Sequence, residues 1–232
     1  MREYLIKGLE ELNIELEIET IDKLIKYAEE LMAYNSHTNL TAIRDHKDLI
    51  EKHFIDSLIV HKELPIRKGK AIDIGTGAGF PGMVLAICNP ELDFTLMDSV
   101  GKKTKFLESI KDSLLLKNVE VINGRAEDFI KDRREMYDLG LCRGVNRLNV
   151  ILEYVIPFIK VDGIFFPQKL EYIDEVEEAK NALELLNCKL IKVYEKELPF
   201  CKAQRIILEI RKEKETDNKY PRRAGIALKK PL

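Results

Sequence analysis

The segment that most constrains this chain is Asp73-Ile74-Gly75-Thr76-Gly77-Ala78-Gly79-Phe80-Pro81-Gly82. It leaves a short apolar run, Ala71-Ile72-Asp73-Ile74, that reads as a buried strand. It enters apolar residues that read as a helix, with Pro81 suited to the first helical position. Glycines at such a turn let the backbone bend sharply and approach a ligand with no Cβ in the way. A strand, a glycine turn and a helix in that order belong to an open, mostly parallel α/β sheet. In that architecture ligands lie beyond the C-terminal ends of the strands, beside this first loop.

The rest of the chain agrees with that architecture. Phe94-Thr95-Leu96-Met97, Val119-Glu120-Val121-Ile122, Tyr137-Asp138-Leu139-Gly140-Leu141 and Gly163-Ile164-Phe165-Phe166 read as further strands. Helices lie between them, including Lys102–Leu116 and Glu171–Leu186. Lys189–Tyr194 and Arg205–Ile210 follow one another with no helix between, which predicts an antiparallel pair at the sheet edge. The first ~65 residues differ in texture. Ile21, Leu24, Ile25, Ala28, Leu31 and Met32 form one amphipathic stripe, and Leu49, Ile50, His53, Phe54, Ser57 and Leu58 a second. The polar cluster from Asn35 to Thr41 separates them. The expected organisation is a helical extension over 1–66 and an α/β domain over 67–232.

The ligand of the glycine loop is less constrained. Gly77-Ala78-Gly79-Phe80-Pro81-Gly82 satisfies G-x-G-x-x-G, and Asp98 lies where a dinucleotide enzyme keeps its ribose-binding acid, so NAD remains open. Asp73, two residues before Gly75, gives an acidic-x-Gly-x-Gly-x-Gly pattern that resembles motif I of class I methyltransferases. There the acidic side chain faces the amino-acid part of S-adenosylmethionine. The antiparallel edge also speaks against a second mononucleotide-binding half. On the methyl-donor reading, Asp98 accepts from both ribose hydroxyls; the alternative is a helix N-cap. Ala126 and Glu127 follow the third strand, either beside the adenine ring or as an ordinary helix start.

Composition narrows the class. A chain of 232 residues, 45% hydrophobic and 34% charged, suits one α/β domain with a small extension. No stretch approaches the roughly 20 apolar residues of a membrane span. The charged N-terminus lacks a signal-peptide apolar region, so a soluble, cytoplasmic protein is expected. Cys88, Cys142, Cys188 and Cys201 form no Cys-x-x-Cys pair, which gives neither a zinc site nor a disulfide framework. His37, His46, His53 and His61 lack ligand spacing, so no metal is expected, and His53 reads as a hydrogen-bonded packing residue, with Asp56 near enough in sequence to orient it. Net charge is −2, but residues 1–34 carry 4 − 9 = −5 and residues 205–232 carry 9 − 4 = +5. That asymmetry fits either a polyanion-binding face or a solvated tail.

With these residues in view, nearly the whole chain resembles the bacterial ribosomal small-subunit methyltransferase G family, also called glucose-inhibited division protein B. The resemblance rests on Tyr34-Asn35, Asn39-Leu40-Thr41, Lys52-His53-x-x-Asp56-Ser57 and the glycine loop. It continues through Leu96-Met97-Asp98-Ser99-x-x-Lys102-Lys103-x-x-Phe106-Leu107, Arg125-Ala126-Glu127, Arg143, Lys169 and Tyr220-Pro221-Arg222-x-x-Gly225. It implies a class I methyltransferase, Rossmann-like fold and transfer from S-adenosylmethionine to guanine N7 in 16S ribosomal RNA.

Carried over, the resemblance implies cofactor contacts from Gly75, Phe80, Ala126, Glu127 and Arg143, which join Asp73, Gly77, Gly79 and Asp98 from the loop reading, with Arg143 and Lys169 as catalytic candidates. Two departures stand out: Cys142-Arg143-Gly144 replaces a small residue followed by Arg-Ala, and Pro167-Gln168 replaces apolar residues before Lys169.

The chemistry is compatible with this reading. Guanine N7 carries a free lone pair, so catalysis can rest on in-line positioning. No Asn-Pro-Pro-Tyr-like motif follows the fourth strand, and Cys142 reads as a small core cysteine rather than a nucleophile. RNA contacts are expected from Arg143, Lys169, Arg205, Lys219, Arg222, Arg223, Lys229 and Lys230. Tyr220 or Phe80 is either a base-stacking ring or a packing aromatic. The implied partner is 16S RNA or the 30S subunit, met by a monomer. The rival readings are a small-molecule acceptor and a non-catalytic module that binds the cofactor or RNA.

Overall fold

The structure, a computed structural model, describes residues 1–232. Helices α1 (Arg2–Leu12) and α2 (Ile18–Asn35) come first. Then α3 (His46–Leu49) runs without a break through a π-helical stretch, Ile50–Ile55, into α4 (Asp56–Glu63). Asp45 starts this long helix, its side chain accepting from the backbone N–H groups of Lys47 at 2.8 Å and Asp48 at 3.0 Å. The apolar stripe predicted here is buried at Leu49, Ile50, Phe54 and Leu58. The π stretch was not predicted; wide turns of this kind recur at functional sites because they re-aim side chains. This one carries Lys52 and His53 and ends just before Asp56.

The α/β part follows: β1 (Gly69–Ile74), α5 (Gly82–Cys88), β2 (Leu92–Asp98), α6 (Gly101–Ser113), β3 (Val119–Asn123), α7 (Ala126–Phe129), β4 (Tyr137–Arg143), α8 (Leu148–Val155) and β5 (Ile159–Lys169). After it come α9 (Ile173–Glu178), α10 (Lys180–Leu185), β6 (Cys188–Glu197), β7 (Gln204–Lys212) and α11 (Ile226–Lys229). The strands form one sheet in the order β3-β2-β1-β4-β5-β7-β6. Strands β1 to β5 are parallel, and β7 runs antiparallel to both β5 and β6. The parallel sheet with an antiparallel edge is the arrangement read from the sequence. Strand order reverses between β1 and β4, so the crevice of such a sheet opens at the ends of those two strands.

Three details differ from the sequence reading. Helix α5 begins at Gly82, one residue after Pro81. The helix predicted over 171–186 is two short helices broken at Ala179, whose N–H bonds both Glu175 O and Val176 O. Strand β5 runs seven residues further than the core read as Gly163–Phe166, with a register irregularity opposite Tyr137 and Leu139.

Alternation along the strands sends neighbours to opposite faces. Leu96 and Phe166 join a 38-residue cluster that also holds Leu5, Leu24, Tyr27 and Phe54, whereas Met97 and Phe165 join a 26-residue cluster with α8. The N-terminal helices therefore cover one face of the sheet. On the other, the chain after β7 is pinned to α8: the side chain of Glu153, wholly buried, accepts from Arg222 N at 2.7 Å, Nε at 2.9 Å and Nη2 at 2.6 Å. No helix is long and apolar enough to cross a membrane.

Candidate active site

The glycine loop is held by its own acid. Asp73 is fully buried, and its Oδ2 accepts from Thr76 Oγ1 at 2.7 Å and Gly82 N at 2.9 Å. Burial pushes its carboxyl up to about 6 despite those donors and nearby Arg143. Its Oδ1 has no hydrogen-bond partner. Gly75 has φ +73°, and a Cβ there would collide with the Val145 side chain. At Gly79 (φ +104°) a Cβ would stand 2.5 Å from the Tyr27 hydroxyl. Both positions therefore require glycine. Asp98 is 5% exposed; its Oδ2 accepts from Gly77 N at 2.9 Å and its Oδ1 from Val100 N at 2.9 Å. It fastens the loop to β2 and caps the turn before α6, and Lys103 Nζ stands 3.5 Å from Oδ2, yet a carboxylate with three such bonds keeps a lone pair for a further donor. Gly75, Asp98, Ala126, Glu127, Val145 and Tyr154 line a cleft of about 250 Å³.

A larger cleft of about 770 Å³ adjoins it, lined among others by Lys52, His53, Asp56, Arg143, Lys169 and Arg205. Val145 lines both clefts. Arg143, the last residue of β4, donates through Nη1 to Asp56 Oδ2 at 2.8 Å and to Lys52 O at 3.1 Å. Its Nη2 lies 2.9 Å from His53 Nδ1. Since a guanidinium only donates, His53 Nδ1 must accept, and its Nε2–H then donates to Thr41 Oγ1 at 2.9 Å. Burial first, and the charge of Arg143 second, push His53 down to about 3, so the ring stays neutral. Arg205 Nε donates to Asp56 Oδ1 at 3.0 Å. Lys169 is 9% exposed; its Nζ donates to Asn146 O at 2.6 Å and pairs with Glu175 at 2.5 Å, which fixes the loop that carries Val145.

A profile of the rRNA small subunit methyltransferase G family (GidB) matches residues 20–207. The chain is 58% identical over 232 residues to the Ribosomal RNA small subunit methyltransferase G of Fusobacterium nucleatum, covering 100% of both chains. It is 42% identical over 236 residues to that of Alkaliphilus oremlandii, covering 100% of this chain and 99% of the relative. The chain belongs to the rRNA small subunit methyltransferase G family. Solved structures agree on the fold. A SAM dependent methyltransferase from Aquifex aeolicus superposes with TM-score 0.55 at 19% identity over 71% of this chain and 93% of its own. M. jannaschii TYW2 in complex with AdoMet gives TM-score 0.55 at 15% identity over 68% and 76%.

In this methyltransferase G family member, the residues named from the sequence gather unevenly. Gly75, Asp98, Ala126 and Glu127 meet in the smaller cleft, and Arg143, Lys169 and Arg205 in the larger. Asp73, Gly77 and Gly79 shape the loop itself. Three expectations need correction, at Tyr220, Arg222 and Asp56, and of the two readings of Phe80 the packing one holds. Tyr220 is 5% exposed inside the core, so its ring is not open to a base. Phe80 is 3% exposed and stacks with Tyr27 (centroids 5.5 Å, 16°) and His53 (4.5 Å, 17°), so it is a packing aromatic. Arg222 is spent on Glu153 and anchors the chain end rather than an RNA strand. Asp56 does not orient His53; it binds the two arginines. Lys219 is paired with Asp217 at 3.0 Å on the surface, while Arg223, Lys229 and Lys230 are exposed. Cys142 is 1% exposed and burial raises its thiol far above the ordinary value, which fits a core residue. Asp56 and Val145 were missed as site residues. The signal for Asp56 was present, a carboxylate three residues after His53 on an otherwise apolar stripe.

Proposed function

We propose that this protein transfers the methyl group of S-adenosylmethionine to N7 of a guanine in 16S ribosomal RNA, a reading supported by relatives named Ribosomal RNA small subunit methyltransferase G. The observation that carries the reading is the meeting of two unlike clefts at Val145, one lined by the acid of β2 and one by cations. When bound, S-adenosylmethionine supplies a methyl group already activated on a sulfonium. The residues present fit that group. Asp98 would accept from ribose hydroxyls, Ala126 and Glu127 line the same cleft and would flank the adenine, and Asp73 Oδ1 is an acceptor the fold leaves unused.

On the substrate side, Arg143, Lys169 and Arg205 sit around a space large enough for a nucleotide. The N7 lone pair is free at neutral pH, so these residues bind and orient and no proton need be removed first. In this reading residues 1–66 are an extension of a methyltransferase domain spanning 67–232, and a cytoplasmic monomer meets RNA or the 30S subunit. Incubation with radiolabelled S-adenosylmethionine and 30S particles or RNA from a strain lacking this gene tests it. Label at N7 of one guanine is the expected result. Cofactor binding by calorimetry with no label on RNA would overturn the RNA acceptor and turn attention to small molecules.

A further inference from the structure

We propose that Asp56 is a positioning residue for methyl transfer, holding the guanidiniums of Arg143 and Arg205 so that neither occupies the N7 position of the substrate guanine. The inference rests on the guanine-N7 reading above and deepens it.

Three elements distant in sequence meet at this carboxylate. Asp56 opens α4, Arg143 closes β4 and Arg205 is the second residue of β7. Asp56 is 3% exposed, and each oxygen takes one guanidinium: Oδ2 that of Arg143 at 2.8 Å, Oδ1 that of Arg205 at 3.0 Å. Its backbone oxygen also accepts from Gln168 Nε2 at 3.3 Å. Two like charges are thus drawn onto one floor that their mutual repulsion would otherwise open. The junction is not sealed. Both arginine side chains keep partial exposure, 17% and 15%, and both line the cleft of about 770 Å³. Arg205 Nη2 makes no hydrogen bond to protein, since Nε is spent on Asp56 and Nη1 on Gln204 O. A staple serving only to pack α4 would not need to leave donors facing a cavity.

The chemistry of guanine says why restraint matters. The commonest way an arginine meets guanine is a bidentate pair to O6 and N7. For a nucleophile at N7 that pair is a dead end, because an N–H bonded to N7 consumes the lone pair that must attack the methyl carbon. A useful arginine here reaches O6 or a phosphate and stops short of N7. Asp56 supplies that restraint by tying Arg143 through Nη1 and Arg205 through Nε, which leaves each with fewer free donors and a fixed fork. A freed arginine then binds RNA at least as well but in the wrong way, so the losses fall on kcat rather than KM.

The test uses the full chain with 30S particles from the deletion strain. Asp56→Asn is expected to lower kcat about 30-fold or more while KM for 30S stays level or falls, and the Kd for S-adenosylmethionine stays within about threefold. Asp56→Glu, which keeps the charge, is expected to restore a substantial part of kcat. Arg205→Lys, which keeps charge but loses the fork, should lower kcat in the same direction and covers the case in which Asp56→Asn does not fold. Unchanged kcat in Asp56→Asn would overturn the proposal. So would parallel loss of cofactor binding, thermal stability and kcat that Asp56→Glu does not rescue, since that is the signature of a packing role. If the wild-type enzyme itself labels no guanine N7, it is the N7 reading that fails.

Discussion

The two sides of the site are built in opposite ways. Around the glycine loop, Asp73, Thr76, Gly77, Gly82, Met97 and Asp98 satisfy one another across adjacent strands and a single loop. In the larger cleft, Asp56, Arg143, Gln168 and Arg205 are up to 149 residues apart and meet only once the sheet and the helical extension have assembled. A loop of this kind carries its instructions in one short segment and the end of the next strand. A floor of the second kind carries them in the whole topology, and one carboxylate can decide it.

That contrast can be broken experimentally. The largest effect is expected at the chain end, which sequence reading assigned to the RNA surface. Arg222→Ala leaves the Glu153 carboxylate buried and unpaired, which costs about 3–5 kcal/mol. Denaturant unfolding should show that loss with kcat per folded molecule unchanged; a stable variant with weakened RNA binding would instead return Arg222 to the substrate side. Next, Gly75→Val places a Cβ against Val145 in a positive-φ backbone. Calorimetry should report at least a hundredfold weaker cofactor binding, about 2.7 kcal/mol, with RNA affinity retained. Loss of both would show that the two sides are one unit.

Two smaller tests use pH. The Asp73 carboxyl is raised to about 6, so ionising it in the fold opposes folding: its contribution is most favourable below the unfolded value of 3.8 and is lost as pH rises to about 6. Asp73→Asn removes that penalty, so at pH 7 its Tm should exceed wild type, with the difference vanishing near pH 4. Cofactor affinity should nonetheless fall about tenfold, or 1.4 kcal/mol, for want of a carboxylate. A lower Tm at pH 7 would mean the loop needs the charge. His53 works in the other sense. Its pKa is lowered from 6.5 to about 3, so its stabilisation is complete above pH 6.5 and drains away as pH falls toward 3. His53→Gln should flatten the acid limb of the Tm profile by a few degrees; an unchanged limb would assign it to His61, lowered to about 4 by burial and Arg67.

Legibility followed the same division. Strand periodicity, the glycine loop and the edge hairpin were readable because each depends on neighbours in sequence, and Gly75, Asp98 and Ala126 came with them. The π turn at Ile50–Ile55 was not, because its apolar spacing matches an ordinary helix closely enough. Tyr220 and Arg222 read as surface chemistry because residue type alone does not reveal a covering partner, here the second core cluster and Glu153. Asp56 was quoted within a motif but given the wrong partner, since the nearer candidate in sequence was His53 and the actual ones lie on β4 and β7.

The sheet order carries one more consequence, for the timing of synthesis. Strand β7 lies between β5 and β6 and pairs with both, so the last two strands can close on each other as a local hairpin and dock on β5 together. A nascent chain that has emerged only as far as Glu197 already holds the glycine loop and strands β1 to β5, yet lacks Arg205. The glycine loop is thus synthesised before either cleft is complete, since Arg205 lines the larger cleft and Gly225 and Leu228 line the smaller.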